Sequence, residues 1–221
     1  MALDLTYNTD FAQVEADDQQ INLDRFSLFF PEKRAFFLEN AGLFSVGTGG
    51  GYFGPDIEMF FSRRIGVGPS GTPVPILGGG RLTGTFGGMK IGVLSMGTKS
   101  VKDVIEANQY SVFRLKKELP NRTHFGGMVT ALNHGGKDGY LNQSYSLDAQ
   151  IGIGELSKFI VFAGITDTPE MDKDNAYAYR IELARDTKQI STSMSYDEVG
   201  ANFNPEMGYL KRENYRKWSG R

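Results

Sequence analysis

Residues Gly49-Gly50-Gly51-Tyr52-Phe53-Gly54 satisfy the spacing G-x-G-x-x-G, by which glycines let backbone and a helix N-terminus approach a pyrophosphate. That chemistry needs a strand before the glycines and a helix after them. Here Pro55-Asp56 and a strand-like Ile57 to Phe61 follow, so the match is accidental. The stretch Gly92 to Ser100 approaches a phosphate-binding loop, but Thr98 separates Gly97 from Lys99 and breaks the register. No cofactor is expected.

Other reactive types are sparse. His124 and His134 are the two histidines of the chain, each near a strand end and without the spacing of a metal site; a place at a membrane interface is expected for both. Asp172-Lys173-Asp174-Asn175 carries carboxylates, yet Ala176 stands at a ligand position and the glycine of a calcium loop is missing, so no metal is expected. Ser144 or Ser146 with His124 or His134 would make a nucleophile pair only through a geometry that sequence does not specify, and no G-x-S-x-G elbow occurs. Glu32 with Glu39, or Asp148 with Glu182, would serve as acid and base if they converged. No catalytic residue is assigned, and a membrane-associated hydrolase, with its site in a lumen or in long loops, stands as the alternative reading.

The elements that must position these residues are read from pattern. Composition is that of a folded domain, 40% apolar and 12% aromatic. Lys and Arg number 24 against 26 Asp and Glu, leaving no basic footprint for nucleic acid. With zero cysteines, disulfides and thiolate chemistry are excluded. No apolar run reaches the length of a membrane helix, which leaves half-polar barrel strands open.

Between Gly78 and Asp197 strand-like segments alternate with short and long connections. Arg81–Phe86 and Met89–Met96 meet across Gly87-Gly88, a dipeptide suited to a two-residue turn with positive φ. Gln109–Leu119 and Thr123–Asn133 meet across Pro120-Asn121-Arg122. Asn142–Ile153 and Lys158–Thr166 meet across Gly154 to Ser157, and Ala176–Arg185 and Gln189–Tyr196 across Asp186-Thr187-Lys188. Long connections separate these four hairpins, an asymmetry typical of outer-membrane barrels.

Alternation along the strands separates two faces. Tyr145, Leu147, Ala149, Ile151 and Ile153 oppose Ser146, Asp148, Gln150 and Gly152; Tyr177, Tyr179, Ile181 and Leu183 oppose Ala178, Arg180 and Glu182. Phe113, Leu115 and Leu119 oppose Arg114, Lys116 and Glu118, with Lys117 on the apolar side. A soluble barrel or sandwich would bury the apolar set; a membrane barrel would turn it outward. Strand length, loop asymmetry and the aromatics Tyr110, Phe125, Tyr145, Phe159, Tyr177 and Tyr196 near strand ends favour the membrane barrel.

Residues 1–75 fit the rhythm less well, with strands expected at Leu3–Phe11, Asn22–Phe30 and Ile57–Arg64. Phe29 to Glu39 combines four charges with two aromatic pairs. It reads either as a turn with solvated charges or as a segment tucked inside the barrel with its charges paired. Candidate lumen or plug residues are Glu32, Lys33, Arg34, Glu39, Arg63, Arg64, Asp148, Gln150, Arg180 and Glu182.

The runs Asn8 to Asp17, Phe29 to Glu39 and Phe61-Ser62-Arg63-Arg64-Ile65-Gly66 resemble domain-of-unknown-function family 5916, a resemblance extending over nearly the whole chain, with Gly208-Tyr209-Leu210-Lys211-Arg212 as a further element. In that family a similar region follows a module resembling family-9 carbohydrate-binding domains, in envelope proteins of Bacteroidota and related bacteria. The resemblance implies an outer-membrane location, outer-membrane lipid as partner and glycans as partners of the preceding module. It supplies no reaction. The chain lacks a signal peptide, that module and a closing aromatic-ended strand, and so is expected to be a fragment. The expected fold is all-β: an antiparallel up-and-down meander forming a partial transmembrane β-barrel of about eight clear strands plus N-terminal strands. Residues 1–75 hold the N-terminal strands and charged-aromatic segment, 76–197 the four hairpins, and 198–221 a loop and truncated continuation.

Overall fold

A computed structural model describes residues 1–8, 31–49, 55–68, 72–102, 105–136 and 139–221. In chain order these form β1 (Ala2–Tyr7), the single helical turns α1 (Ala35–Leu38) and α2 (Ala41–Phe44), β2 (Gly47–Gly49), β3 (Pro55–Glu58), a 3-10 turn (Ser62–Arg64), β4 (Ile76–Phe86), β5 (Met89–Thr98), β6 (Asn108–Leu119), β7 (Thr123–His134), β8 (Leu141–Ile153), β9 (Ser157–Asp167), β10 (Tyr177–Asp186), β11 (Ser191–Val199), β12 (Tyr209–Leu210) and β13 (Tyr215–Gly220). The fold is all-β.

Ten strands form one antiparallel sheet in the order β1-β4-β5-β6-β7-β8-β9-β10-β11-β13. From β4 to β11 it is the expected meander, each strand pairing with its sequence neighbour. The sheet is open, since β1 and β13 are its edges among the described residues. β1 joins along β4 with Leu5 opposite Gly80, and β13 along β11 with Trp218 opposite Tyr196. The sheet thus exceeds the eight clear strands of the meander at both flanks. Gly87 and Gly88 both take positive φ, 56° and 72°, as a tight turn matching strand twist requires. The expected hairpins are all present with ends displaced by a few residues.

A small layer lies against one face of this sheet. It contains α1, α2, the 3-10 turn and a second sheet of order β12-β3-β2. The continuous core is shared between the two layers: Phe37, Phe44, Val46, Ile57, Met59, Ile65, Phe203 and Met207 pack with Leu94, Met96, Tyr110, Val112, Met128 and Phe162 of the large sheet. The expected strand over Ile57–Arg64 is corrected, because it stops at Glu58. Beyond it, the guanidinium of Arg34 takes the carbonyls of Ser62 and Ile65, at 2.8 and 2.7 Å, groups that a strand partner would otherwise use. The expected strand Asn22–Phe30 lies outside the described residues, as do Thr9, Asp10 and Phe11 of Leu3–Phe11, whose described part forms β1 and ends at Tyr7.

The two faces of the large sheet differ as alternation predicts. Leu94 and Phe162 on the covered face are 2% and 1% exposed, whereas Leu147, Ile181 and Leu183 on the other are 68%, 44% and 53% exposed. One aromatic position is reassigned: Tyr110 points into the core, whereas Tyr196 stays on the other face, packed on Trp218 with ring centroids 4.7 Å apart. The covered face is also more apolar than the strand patterns of β6, β8, β10 and β11 suggest. Met96, Val112, Met128 and Leu132 lie on it, and the small layer supplies their apolar partners. Ile57, fully buried in β3, is central to that packing; Ile57→Ala is expected to destabilise the fold by about 2–5 kcal/mol, read as a lowered denaturation midpoint in detergent.

Candidate functional site

The charges of the covered face hold the two layers together. Arg81 of β4, 1% exposed, donates to the carbonyls of Phe36 and Glu39 at the end of α1 and to the carboxylates of Asp4 and Glu39, both 2.8 Å away. Arg114 of β6 donates to the Leu43 carbonyl of α2 at 3.1 Å and forms a two-pronged pair with Asp148 of β8, at 2.5 and 2.9 Å. Its fork crosses β7 to reach that carboxylate, and Gly126 makes the crossing available. A Cβ at Gly126 would sit 2.4 Å from the guanidinium. Arg180 of β10 bonds Asp197 on β11 at 2.9 Å and Glu182, two residues along the same face, at 2.7 Å.

Between these anchors lies a polar chamber of about 250 Å³, with Ser45, Thr48 and Glu58 of the small layer facing His124, Asp148, Gln150, Arg180 and Glu182 of the large sheet. Strand alternation delivers the wall residues: Asp148 and Gln150 are successive covered-face positions of β8, and Arg180 and Glu182 of β10. Thr48 is 4% exposed and its hydroxyl has no hydrogen-bond partner among the described residues. Burial pushes the Glu58 carboxyl up to about 7, although it accepts hydrogen bonds from the Val46 N–H at 2.8 Å and the Ser45 hydroxyl.

The ten candidate residues divide into distinct groups. Asp148, Gln150, Arg180 and Glu182 share the chamber. Glu32 and Arg34 pair with each other inside the small layer, with the Ser62 hydroxyl donating to Glu32 at 2.6 Å and Arg34 over the ring of Phe37. Burial would raise the Glu32 carboxyl, but the bonds and charge of Arg34 and the Ser62 hydroxyl outweigh it and hold it below its ordinary range. Glu39 binds Arg81. Arg63 donates to the Pro31 carbonyl and Arg64 to that of Gly208, at 3.0 and 2.9 Å, while Lys33 is exposed and its backbone N–H donates to Glu32. Residues 31–39 lie in the small layer, with Glu32 paired to Arg34 and Glu39 to Arg81 and with Lys33 exposed; Phe29 and Phe30 lie outside the described residues.

The considered catalytic pairs are engaged elsewhere among the described residues, although Asp148 and Glu182 border the same chamber. Glu32 and Glu39 are committed to different arginines, as are Asp148 and Glu182. The hydroxyls of Ser144 and Ser146 are buried without partners among the described residues, and the histidines engage other groups. Both histidines point toward the covered face and its partners, correcting their expected interfacial placement: His124 lies 3.6 Å from Asp148, and His134 contacts Asn108 and Glu206 at 3.2 and 3.0 Å.

Sequence reasoning missed a second polar cluster at the long-loop end. There Tyr140 donates to Glu206 at 2.6 Å, and Asn142 donates to the Thr168 hydroxyl and the Asn204 carbonyl at 2.7 and 3.1 Å. Burial and the Glu206 carboxylate push the Tyr140 phenol up to about 12. These bonds seat the segment carrying Phe203 and Met207, both 1% exposed, over that end of the sheet. Glu206 stands in a segment without periodicity, so no local signal marked it. Arg81, Arg114 and Glu58 were likewise missed as site residues, although the alternation of β6 already placed Arg114 on the charged face.

Residues 1–77 match a domain of unknown function, DUF5916. The matched stretch covers β1 and most of the small layer and ends as β4 begins, so the detected similarity is shorter than the whole-chain resemblance read from the sequence. It carries the Glu32–Arg34–Ser62 cluster, Glu39 and Glu58, while the matching stretch contains almost none of the large sheet. No curated protein and no solved structure is significantly similar to the chain.

Two outcomes follow from the anchors and the chamber. Arg114→Met is expected to cost about 3–5 kcal/mol by stranding the Asp148 carboxylate, and adding Asp148→Leu is expected to recover most of that loss, as measured by denaturant midpoints of the single and double variants. Glu58 binds its proton more tightly folded than unfolded, so folding takes up a proton between about pH 4.5 and 7. The stability supplied by the neutral acid is complete below 4.5 and lost as pH rises through 7; Glu58→Gln is expected to flatten this part of a stability-against-pH curve.

Proposed function

We propose that this protein is an outer-membrane β-barrel protein whose large sheet is barrel wall and whose small layer is an internal plug. It acts without catalysis, as a plugged conduit or receptor. The carrying observation is the reversal of ordinary burial: the bare face is predominantly apolar and the covered face holds buried arginines with their carboxylate partners. Leu3, Leu5, Phe113, Phe125, Leu147, Ile165, Leu183, Met194 and Trp218 are all exposed, a contiguous apolar surface far larger than soluble monomers usually present. Lipid is the solvent in which that surface is stable.

Three further features support the reading. β4–β11 are 9–13 residues long, enough for tilted strands to cross a bilayer. Their connections are short at one end and long at the other. The bare-face carboxylate Glu198 is enclosed by the hydroxyls of Tyr177, Tyr179 and Tyr196 at 2.7–2.8 Å and by Arg216 at 3.1 Å, so its charge is not presented unpaired to an apolar medium. A role in glycan handling rests on the carbohydrate-binding-like module associated with the resembling family. The plug is the element that a ligand arriving from such a module would displace.

Cell fractionation and gel mobility with and without heating test the reading: envelope enrichment and a compact unheated band are expected. Release into the aqueous phase without detergent would overturn it. Leu147→Arg is expected to weaken bilayer insertion by about 2–4 kcal/mol, measured by folding into lipid vesicles, whereas Leu147→Phe is expected to be tolerated.

A further inference from the structure

The bare face is not uniformly smooth. Where β6, β7, β8 and β9 run side by side, a groove of about 690 Å³ crosses it, within the size range of ligand pockets at about 300–1,000 Å³. Its floor is Gly127, whose absent side chain leaves a depression between Phe113 and Phe125 on one side and Tyr145 and Leu147 on the other. A Cβ at Gly127 would come 3.3 Å from the end of the flexible Leu147 side chain, so the position accepts a larger residue at small cost to the strand. At the short-turn end the groove meets Lys117.

The lining is mostly apolar, and Lys117 is the charged side chain that stands on the bare face beside it, since Lys116 and Ser146, which also border the groove, occupy covered-face positions of their strands. The Lys117 ammonium lies over the Gly87-Gly88 turn, 3.5 Å from the Gly87 carbonyl. Its neighbours Lys90 and Lys116 project to the other face and both pair with Glu118; no carboxylate lies within ion-pair distance of Lys117 among the described residues. A long side chain on a barrel exterior carries its charge to the membrane boundary along apolar surface. The groove and the cation therefore form one amphipathic site.

From this combination we infer that the groove binds one anionic phospholipid, with an acyl chain along Gly127 and the headgroup phosphate on Lys117. The inference rests on the membrane reading above. The occupant must be apolar along its length, because the backbone groups of β6–β9 are consumed by their own ladders and leave no edge for an added strand. An anionic end is favoured, because the Lys117 ammonium at the membrane boundary offers complementary charge to a headgroup phosphate there. The short-turn end of such barrels faces the periplasm, which places the headgroup in the inner leaflet.

Native mass spectrometry of the detergent-purified protein, titrated with phosphatidylglycerol or phosphatidylcholine of matched chains, tests the site. One phosphatidylglycerol is expected to be retained in preference to phosphatidylcholine. Gly127→Leu is expected to weaken retention of both lipids about tenfold by filling the groove, and Lys117→Gln to remove about fivefold of the preference for phosphatidylglycerol. Both variants should keep the heat-dependent band and vesicle insertion. Equal retention of the two lipids, or retention unaffected by Gly127→Leu in protein that still inserts, overturns the lipid site and leaves the membrane reading standing. A dimer dissolved by Gly127→Leu overturns it by assigning the groove to a second copy. Failure of the unsubstituted protein to insert into vesicles overturns both readings together.

Discussion

Everything in this structure depends on arginines of the large sheet finding partners in a medium that offers little water. Arg81 and Arg114 are 1% exposed, and an unpaired guanidinium there would cost more than the surrounding packing returns. Arg81 is satisfied by the carboxylates of Asp4 and Glu39 and the carbonyls of Phe36 and Glu39, Arg114 by the carboxylate of Asp148 and the Leu43 carbonyl of α2. Those helical turns are four residues long, too short to stand alone. The sheet orders the small layer, and the small layer makes the sheet's buried charges tolerable.

This reciprocity explains how one sheet carries two unlike faces. On the covered side charge and hydrocarbon are interleaved: Leu94, Met96 and Phe162 pack with the small layer, while Asp148, Arg180 and Glu182 border the chamber. On the bare side most side chains are apolar; among its charges Glu198 is wrapped by tyrosine hydroxyls and Arg216, and Lys117 stands by the Gly87-Gly88 turn. A soluble sandwich has the opposite distribution, with its apolar face sequestered.

The family match gains meaning from this division. It ends at residue 77, where the long hairpins begin, and takes in the residues that pack and pair within the small layer. Arg34 bonding the Ser62 and Ile65 carbonyls is a closed local device whose partners all lie inside the matched stretch.

The alternation of β8, β10 and β11, the Gly87-Gly88 turn and the rhythm of short and long connections were legible in the sequence, because strand periodicity and turn chemistry are local properties. They determined the meander and which side chains share a face, including Asp148 with Gln150 and Arg180 with Glu182, but not the register of every hairpin. The partners across layers were not legible. Arg81 meets Glu39 and Arg114 meets Asp148 over 42 and 34 residues of chain, and Glu206 meets His134 over 72; no local pattern encodes such distances. Nor does periodicity say which face is covered, since an alternating strand reads the same in either direction. Only the tertiary structure decided that, through a small layer whose aromatic residues and carbonyls fit the charged side of the sheet and leave the apolar side bare.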